Sequence, residues 1–370
     1  MIRNSLKIRT IRIIRKATVP VGKKIGRKYG KNESKQQEEL INIDLTGIIE
    51  NDAQKTKLNE WAKNIRFIPL ETNDDILIKY ISQVFQRGDK FLVSHGYDRV
   101  SVFNKDGKYL HDIGSKGEGP TNFLSVNEVT LHNDLIYIHE TYSKERIKVY
   151  DWQGKFIKKL ELPAKVNGLL TIEGKEEMLA YVPNMLGNEP TRFYILKGEE
   201  IMDSIPNPFI FPKAAFAQMF NSDFQPTQGK LKAFIELHSD TLYKVNEKWE
   251  ASPYMVINIG KYQPTRKERY NVVLADARKN PMKGKMPIKV IGEIKGKVYM
   301  QSDYIQADET FCYDKQTQMA SKLSLTYPVN TLAIPENAAF KPRAILGNNF
   351  LADWEQPDND ENPILVVVEP

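Results

Sequence analysis

The chain has 370 residues, 41% of them apolar and 27% charged, with one cysteine, a balance that excludes collagen-like, low-complexity and membrane-embedded classes. The net charge of +6 is unevenly placed: residues 1–31 carry eleven Lys or Arg and no acid, which leaves the remaining 339 residues at −5. Any attraction to nucleic acid or anionic lipid is therefore expected only through that basic segment.

In chain order the basic segment comes first. MIRNSLKIRTIRIIRK sets Ile8, Ile11 and Ile14 against arginines, yet Arg9, Arg12, Arg15 and Lys16 interrupt the run of about 7–15 apolar residues that a secretory signal needs. Residues 1–40 are read as a basic, disordered arm, and residues 41–370 as one folded domain. DAQKTKLNEWAKNI (52–65) spaces Leu58, Trp61, Ala62 and Ile65 as one helical stripe, which predicts a helix, and IRFIPLE (65–71) follows as a strand.

From residue 90 the sequence repeats itself. KFLVSHGYDRVSVFNKDGKYLHDIG (90–114), LIYIHETYSKERIKVYDWQGKFIKKLEL (135–162) and KVYMQSDYIQADETFCYDKQTQMASKLSL (297–325) share one pattern. A β-branched or aromatic run is followed by a polar turn, a second run ends in Phe or Tyr plus Asn or Asp, and a tight turn leads to a third run. Alternation of apolar and polar residues predicts strands with one buried face. Gly107 and Gly154, 47 residues apart, supply the positive φ of short hairpin turns, while Lys315, Gln316 and Thr317 offer no glycine and predict a longer turn. The stretch between the first two copies, IGSKGEGPTNF (113–123), has its glycines in the order G-x-x-G-x-G and leads to the strand-like VNEVTL (126–131) instead of a helix. It is read as a connection between repeats, not as a phosphate cradle.

Weaker copies fill the gaps: RFYILKGEEIMDSI (192–205), FIELHSDTLYKVNEKWEASPYMVINIG (234–260) and RAILGNNFLADWE (343–355). TRKERYNVVLADARKN (265–280) is expected to be a helical insertion, Cys312 a buried and inert thiol, and DWEQPDNDEN (353–362) a solvated acidic turn. The final strand, NPILVVVE (362–369), has no partner after it, just as IRFIPLE has no repeat before it, so the two are expected to complete each other. Residues 66–369 then give six units of about 51 residues each, a fold class of all-β, six-bladed β-propeller with four-stranded antiparallel blades and short helical insertions. The aliphatic run Ile364–Val368 is far short of the roughly 20 residues of a membrane span.

IRFIPLET, IGSKGEGPTNF, HSDTLYKVN and ENPILVVV together resemble the six-bladed propellers common in Bacteroides-type bacteria, relatives of NHL-repeat propellers, over about residues 41–370. The resemblance implies a fold and export to the periplasm or cell surface, often through a lipid-anchored cysteine near the N-terminus. This sequence has no cysteine before Cys312 and no signal core before Ile41, so it leaves the compartment open.

For function, His95, His139 and His238 all lie near the end of a second-strand run, with Glu140, Gln301 and Asp303 close to the same register. Corresponding positions of converging blades can ring one mouth of a central channel. His95, Glu140, His238 and Gln301 are the candidate ligand-binding set; a one-residue error in register would turn any of them into an ordinary polar loop residue. No metal site is assigned and no cofactor is predicted, although a divalent ion is what such a ring could take. With G-x-S-x-G, H-E-x-x-H and C-x-x-C all absent, the preferred reading is a binding scaffold for a peptide, glycan or protein partner. The alternative is a metal-assisted lyase or hydrolase working through His95, Glu140 and His238, as the resemblance implies for some NHL-like propellers.

Overall fold

The computed structural model describes residues 39–140, 146–161, 166, 168–211, 224–270, 283–302, 309–328, 333–335 and 338–370. The basic arm at residues 1–38, Asp303 and the greater part of the 265–280 helix lie outside these residues. The chain opens with β1 (Ile41–Asp44), α1 (Thr46–Ile49), β2 (Lys55–Lys57), α2 (Leu58–Trp61) and β3 (Asn64–Pro69). Blade 1 follows as β4 (Ile81–Arg87), β5 (Lys90–His95), β6 (Arg99–Asn104) and β7 (Tyr109–Asp112), and blade 2 as β8 (Glu128–His132), β9 (Leu135–His139), β10 (Arg146–Tyr150) and β11 (Phe156–Glu161). Blade 3 is β12 (Leu169–Thr171), β13 (Glu177–Tyr181), β14 (Thr191–Lys197) and β15 (Glu200–Pro206); blade 4 is β16 (Phe224–Pro226), β17 (Ala233–Glu236), β18 (Thr241–Val245) and β19 (Ala251–Asn258). After α3 (Arg266–Tyr270), blade 5 is β20 (Ile288–Ile294), β21 (Lys297–Ser302), β22 (Thr310–Asp314) and β23 (Met319–Thr326), with β24 (Ala339–Phe340) on its edge. Blade 6 takes β25 (Ala344–Leu346), β26 (Phe350–Glu355) and β27 (Ile364–Glu369) from the end of the chain and β3 from its beginning. This is the expected six-bladed ring, closed by the expected strand pair.

Every blade is packed between two others, so its second strand is buried on both faces. Phe91, Leu92 and Val93 are consecutive and all inaccessible, which departs from the single buried face that alternation predicted. Six apolar clusters mark the six interfaces; one joins Leu92 and Val102 of blade 1 to Val129 and Ile138 of blade 2, and another joins blade 6 to blade 1 through Leu365, Val367, Phe91 and Val93. The outermost strands run along solvent, and β15 accordingly has no fully buried residue.

The recurrent Asn or Asp at the end of the third strand, after an aromatic residue or Val245, has a physical role. Asn104 Oδ1 accepts from the N–H groups of Asp106 (3.0 Å) and Lys108 (2.9 Å), and Asp151, Asn246 and Asp314 cap their own turns in the same way. Gly107 is needed twice over: its φ is +83°, and a Cβ there would sit 2.1 Å from the Pro69 carbonyl of the preceding blade. Blade 5 replaces the glycine with a turn one residue longer, in which Gln318 takes the positive φ. The IGSKGEGPTNF loop satisfies its own backbone, through Gly117 N–H to Phe123 O (3.0 Å) and Phe123 N–H to Ser115 O (3.1 Å), while Tyr150 donates to Thr121 O (2.8 Å). It is the link from blade 1 to blade 2.

Two expectations need correction. Residues 52–65 are not one helix: β2 adds in parallel to β23, α2 is a single turn, and Ile65 already belongs to β3. The apolar stripe survives, since Leu58, Trp61, Ala62 and Ile65 all pack on the blade 5/6 cluster, so tertiary contacts and not helical continuity set their spacing. The acidic 353–362 segment is not wholly solvated either. Asp353 is 0% exposed and accepts from Tyr327 Oη (2.9 Å) and the Lys341 N–H (2.7 Å), with Arg343 Nε at 3.1 Å.

Beyond β3 the closure is locked by Asn362, also buried: its Oδ1 accepts from Ile78 N–H (2.7 Å) and its Nδ2 donates to Glu71 O (2.7 Å) and Ile76 O (3.0 Å). Substitution Asn362→Ala leaves those groups without partners in a dry site and is expected to lower stability by about 2–4 kcal/mol, read as a lower urea midpoint with an unchanged slope.

Candidate functional site: the central channel

Six innermost strands, β4, β8, β12, β16, β20 and β25, enclose a cavity of about 640 Å3. The second strand of each blade ends where the first begins, so one mouth is formed by Tyr80, Gly96, Tyr97 and Ser125–Glu128, and the other by the β16–β17 hairpin and Gly347. The wall is stitched between blades. Gln83 of blade 1 accepts from Val129 N–H of blade 2 (2.7 Å) and donates to its carbonyl (3.2 Å), and Gln228 N–H reaches Ile291 O of blade 5 (2.8 Å) while its side chain accepts from Ile345 N–H of blade 6 (2.7 Å). Gly292 lets this hairpin approach, because a Cβ there would lie 2.5 Å from Gln228 O.

Three of the lining side chains carry a formal charge. Glu128 retains some exposure to the channel, yet the enclosing protein desolvates it and pushes its carboxyl up to about 7, with Lys289 pulling the other way. Lys232, toward the far mouth, has its ammonium pKa lowered by burial, partly offset by Glu173. Amide and hydroxyl groups of Gln83, Thr130, Thr171 and Thr227 complete a polar wall. At the near mouth Tyr80 and Tyr97 meet edge to face at 5.1 Å, and Tyr97 is 76% exposed. Burial and the neighbouring Tyr97 hydroxyl hold the Tyr80 phenol above its usual range.

The residues singled out from sequence lie one strand behind this wall. His95 ends β5 and is 2% exposed; its Nε2 meets Ser101 Oγ at 2.8 Å, and Ser101 donates in turn to Asp112 Oδ1 at 2.5 Å. Because the serine proton is committed to Asp112, His95 Nε2–H is the donor in the first bond, an order opposite to that of a nucleophile activated by a base. Glu140 Oε1 caps Leu124 N–H (2.9 Å) at the rim. His238 borders a small cavity of about 20 Å3 with Arg192, Phe209 and Arg266, where both guanidinium groups hold Glu236. Gln301 is the cross-strand partner of Lys289. His139 is buried and neither ring nitrogen has a hydrogen-bond partner. None of the four candidates lines the channel, and among the described residues no three His, Cys, Asp or Glu side chains are placed to hold a metal ion.

Glu128, Lys289, Lys232 and the tyrosine pair were missed because register was counted from the second strand. The available signal was a charged residue at or next to the start of an inner strand, as Glu128 is in EVTLH and Lys289 in IKVIGEI. Cys312, as expected, is buried, and its thiol is pushed up to about 11 chiefly by desolvation.

Among known structures, a candidate exported protein of Bacteroides fragilis is similar, at 15% identity over 90% of this chain and 99% of that one, with a TM-score of 0.65. A Bacteroides thetaiotaomicron protein of unknown function matches at 10% identity over 82% and 75% of the two chains, TM-score 0.47. Virginiamycin B lyase from Staphylococcus aureus matches at 12% over 83% and 99%, TM-score 0.45. The first shares the six-bladed Bacteroides-type fold; the other two are too distant to carry more. No curated protein matches at significant similarity. The family described as Domain of unknown function (DUF4934) matches residues 40–369.

Burial holds the imidazoles of His95 and His139 down to about 4, so the fold favours their neutral forms. A depressed histidine contributes stability that is complete above its unfolded pKa, near 6.5, and is lost as pH falls toward 4; Glu128, raised to about 7, acts with the opposite sign between 4.5 and 7. The two histidines each withdraw up to about 3 kcal/mol of stability between pH 6.5 and 4, while Glu128 and the equally raised Glu355 act against them over the same interval. His139→Phe should remove one histidine's share, so that between pH 6.5 and 4 the variant loses less stability than the wild type by up to about 3 kcal/mol; urea unfolding at several pH values checks it, and an unchanged pH slope would refute the assignment.

Proposed function

The chain belongs to the DUF4934 family, and on that six-bladed frame we propose that it is a recognition protein whose ligand, a glycan or peptide segment, enters the central channel from the Tyr80–Tyr97 mouth. The observation that carries this reading is the channel itself: about 640 Å3 falls within the usual size of a ligand pocket, and its polar wall is held rigid by bonds between blades. Recognition needs that rigidity, because a wall already fixed loses little freedom when a ligand binds.

Tyr97 supports the choice of mouth. A phenol ring that is three-quarters exposed and braced by Tyr80 contributes little to the core, but offers an apolar face with a polar edge to a sugar ring or peptide group. Leu77 and Leu124 are exposed as well, in the segments leading into β4 and β8. Among the described residues no helix is long and apolar enough to cross a membrane, which fits a partner met in solution or at a surface.

Chemistry at this site has weaker support. The three charged side chains of the channel include no nucleophile beside a base, and His95 is engaged with Ser101 behind the wall. A mixed glycan and peptide array probed with the full chain, followed by calorimetry on the retained compound, tests the proposal. Tyr97→Ser is expected to weaken binding about tenfold, equivalent to ~1.4 kcal/mol, with unfolding temperature unchanged. Binding that is indifferent to Tyr97 and to the channel lining would overturn it.

A further inference from the structure

The charge inventory of the channel narrows the class of ligand. Lys289 and Glu128 belong to blades 5 and 2, on opposite sides of the ring, and both stand one residue inside or at the start of their inner strands, near the tyrosine mouth. Lys232 precedes β17 near the other mouth. Two ammonium groups therefore face one carboxyl. Asp98, at the near rim, is paired with Lys116 (2.9 Å), and Arg87, at the far end of β4, with Asp134 (2.6 Å), so these two pairs cancel within themselves, while the Glu140 carboxylate is engaged by Leu124 N–H.

Among the described residues neither lysine bonds one inner strand to the next. The stitches between inner strands are made by neutral groups: Gln83, Gln228 and the Thr171 hydroxyl, which donates to Leu131 O (3.2 Å). Desolvating an ammonium costs free energy unless a counter-charge meets it, and for Lys232 only Glu173 offsets that cost. A cationic side chain kept in a part-closed polar channel for no structural task is complementary to an anion that arrives from outside.

We infer that the channel takes a carboxylate-bearing ligand, with Lys289 meeting it near the tyrosine mouth and Lys232 near the far one. This rests on the channel reading above and specifies its chemistry. Glu128 sets the condition under which such a ligand is accepted. Deprotonated, it repels a carboxylate and competes for Lys289; protonated, it becomes a hydrogen-bond donor to the same group. Because desolvation holds its carboxyl near 7, affinity for an anion falls as pH rises through neutrality. The volume admits an acidic disaccharide or a short acidic peptide, two sources of one chemistry.

Calorimetry on the full chain with two matched pairs, digalacturonate against digalactose and triglutamate against triglutamine, separates these sources and tests the inference. The charged member of one pair is expected to bind at least tenfold more tightly at pH 6. Lys289→Met and Lys232→Met should each reduce that affinity about tenfold, with unfolding temperature unchanged. Glu128→Gln should bind at pH 8 as the wild type does at pH 6 and lose the pH dependence. Equal binding of neutral and charged members overturns the anionic class while the channel reading stands. Failure of all four compounds to bind overturns both.

Discussion

The structure depends on one strand pair. β27 meets β3 along six residue pairs, Ile364 with Pro69 through Glu369 with Asn64, and so joins the two ends of the folded region into a single blade. Each blade is buried on both faces, which means that an unclosed array would expose two apolar faces at its ends and gain nothing from the last interface. Closure also creates the channel, since inner strands can converge on an axis only when the ring is complete. The wall, the mouth with its tyrosines and the enclosure that moves the Glu128 carboxyl are all consequences of that pairing.

Much of this was legible in the sequence, for reasons that can be named. A repeat of about 51 residues is fixed by covalent spacing, and the aromatic-Asn/Asp-turn signature survives because the side chain of Asn104 or Asp151 does in each turn what no other part of the sheet can do. The unmatched strands at residues 65 and 364 announced their own pairing. Helix 52–65 was misread because an apolar stripe reports which residues meet the core and says nothing of what the backbone does between them; here β2 borrows hydrogen bonds from β23 in parallel. Asp353 was misread for a related cause: acidic neighbours look solvated until a tyrosine, an arginine and two backbone N–H groups converge on one of them.

The site was legible only in part. Sequence placed histidines and carboxylates near one mouth, and the strand ends do lie there, but a propeller has four concentric strands and only the innermost meets the channel. Which strand is innermost follows from how the ring closes, a long-range fact. Once β3 is known to be the outer strand of blade 6, every later strand is numbered from it, and β8 and β20 become channel strands with Glu128 and Lys289 upon them.

The segment ahead of β3 makes the rim of the ring uneven. β1 lies in parallel on β19, and β2 on β23, so blades 4 and 5 have their outer edges covered, while the edges of blades 1, 2, 3 and 6 at β7, β11, β15 and β3 carry no added strand among the described residues. The same segment runs on into the closing pair. Tension entering from the N-terminal side must therefore peel β1 and then β2 before it reaches β3, and the two rim strands act in series as a mechanical fuse for the ring.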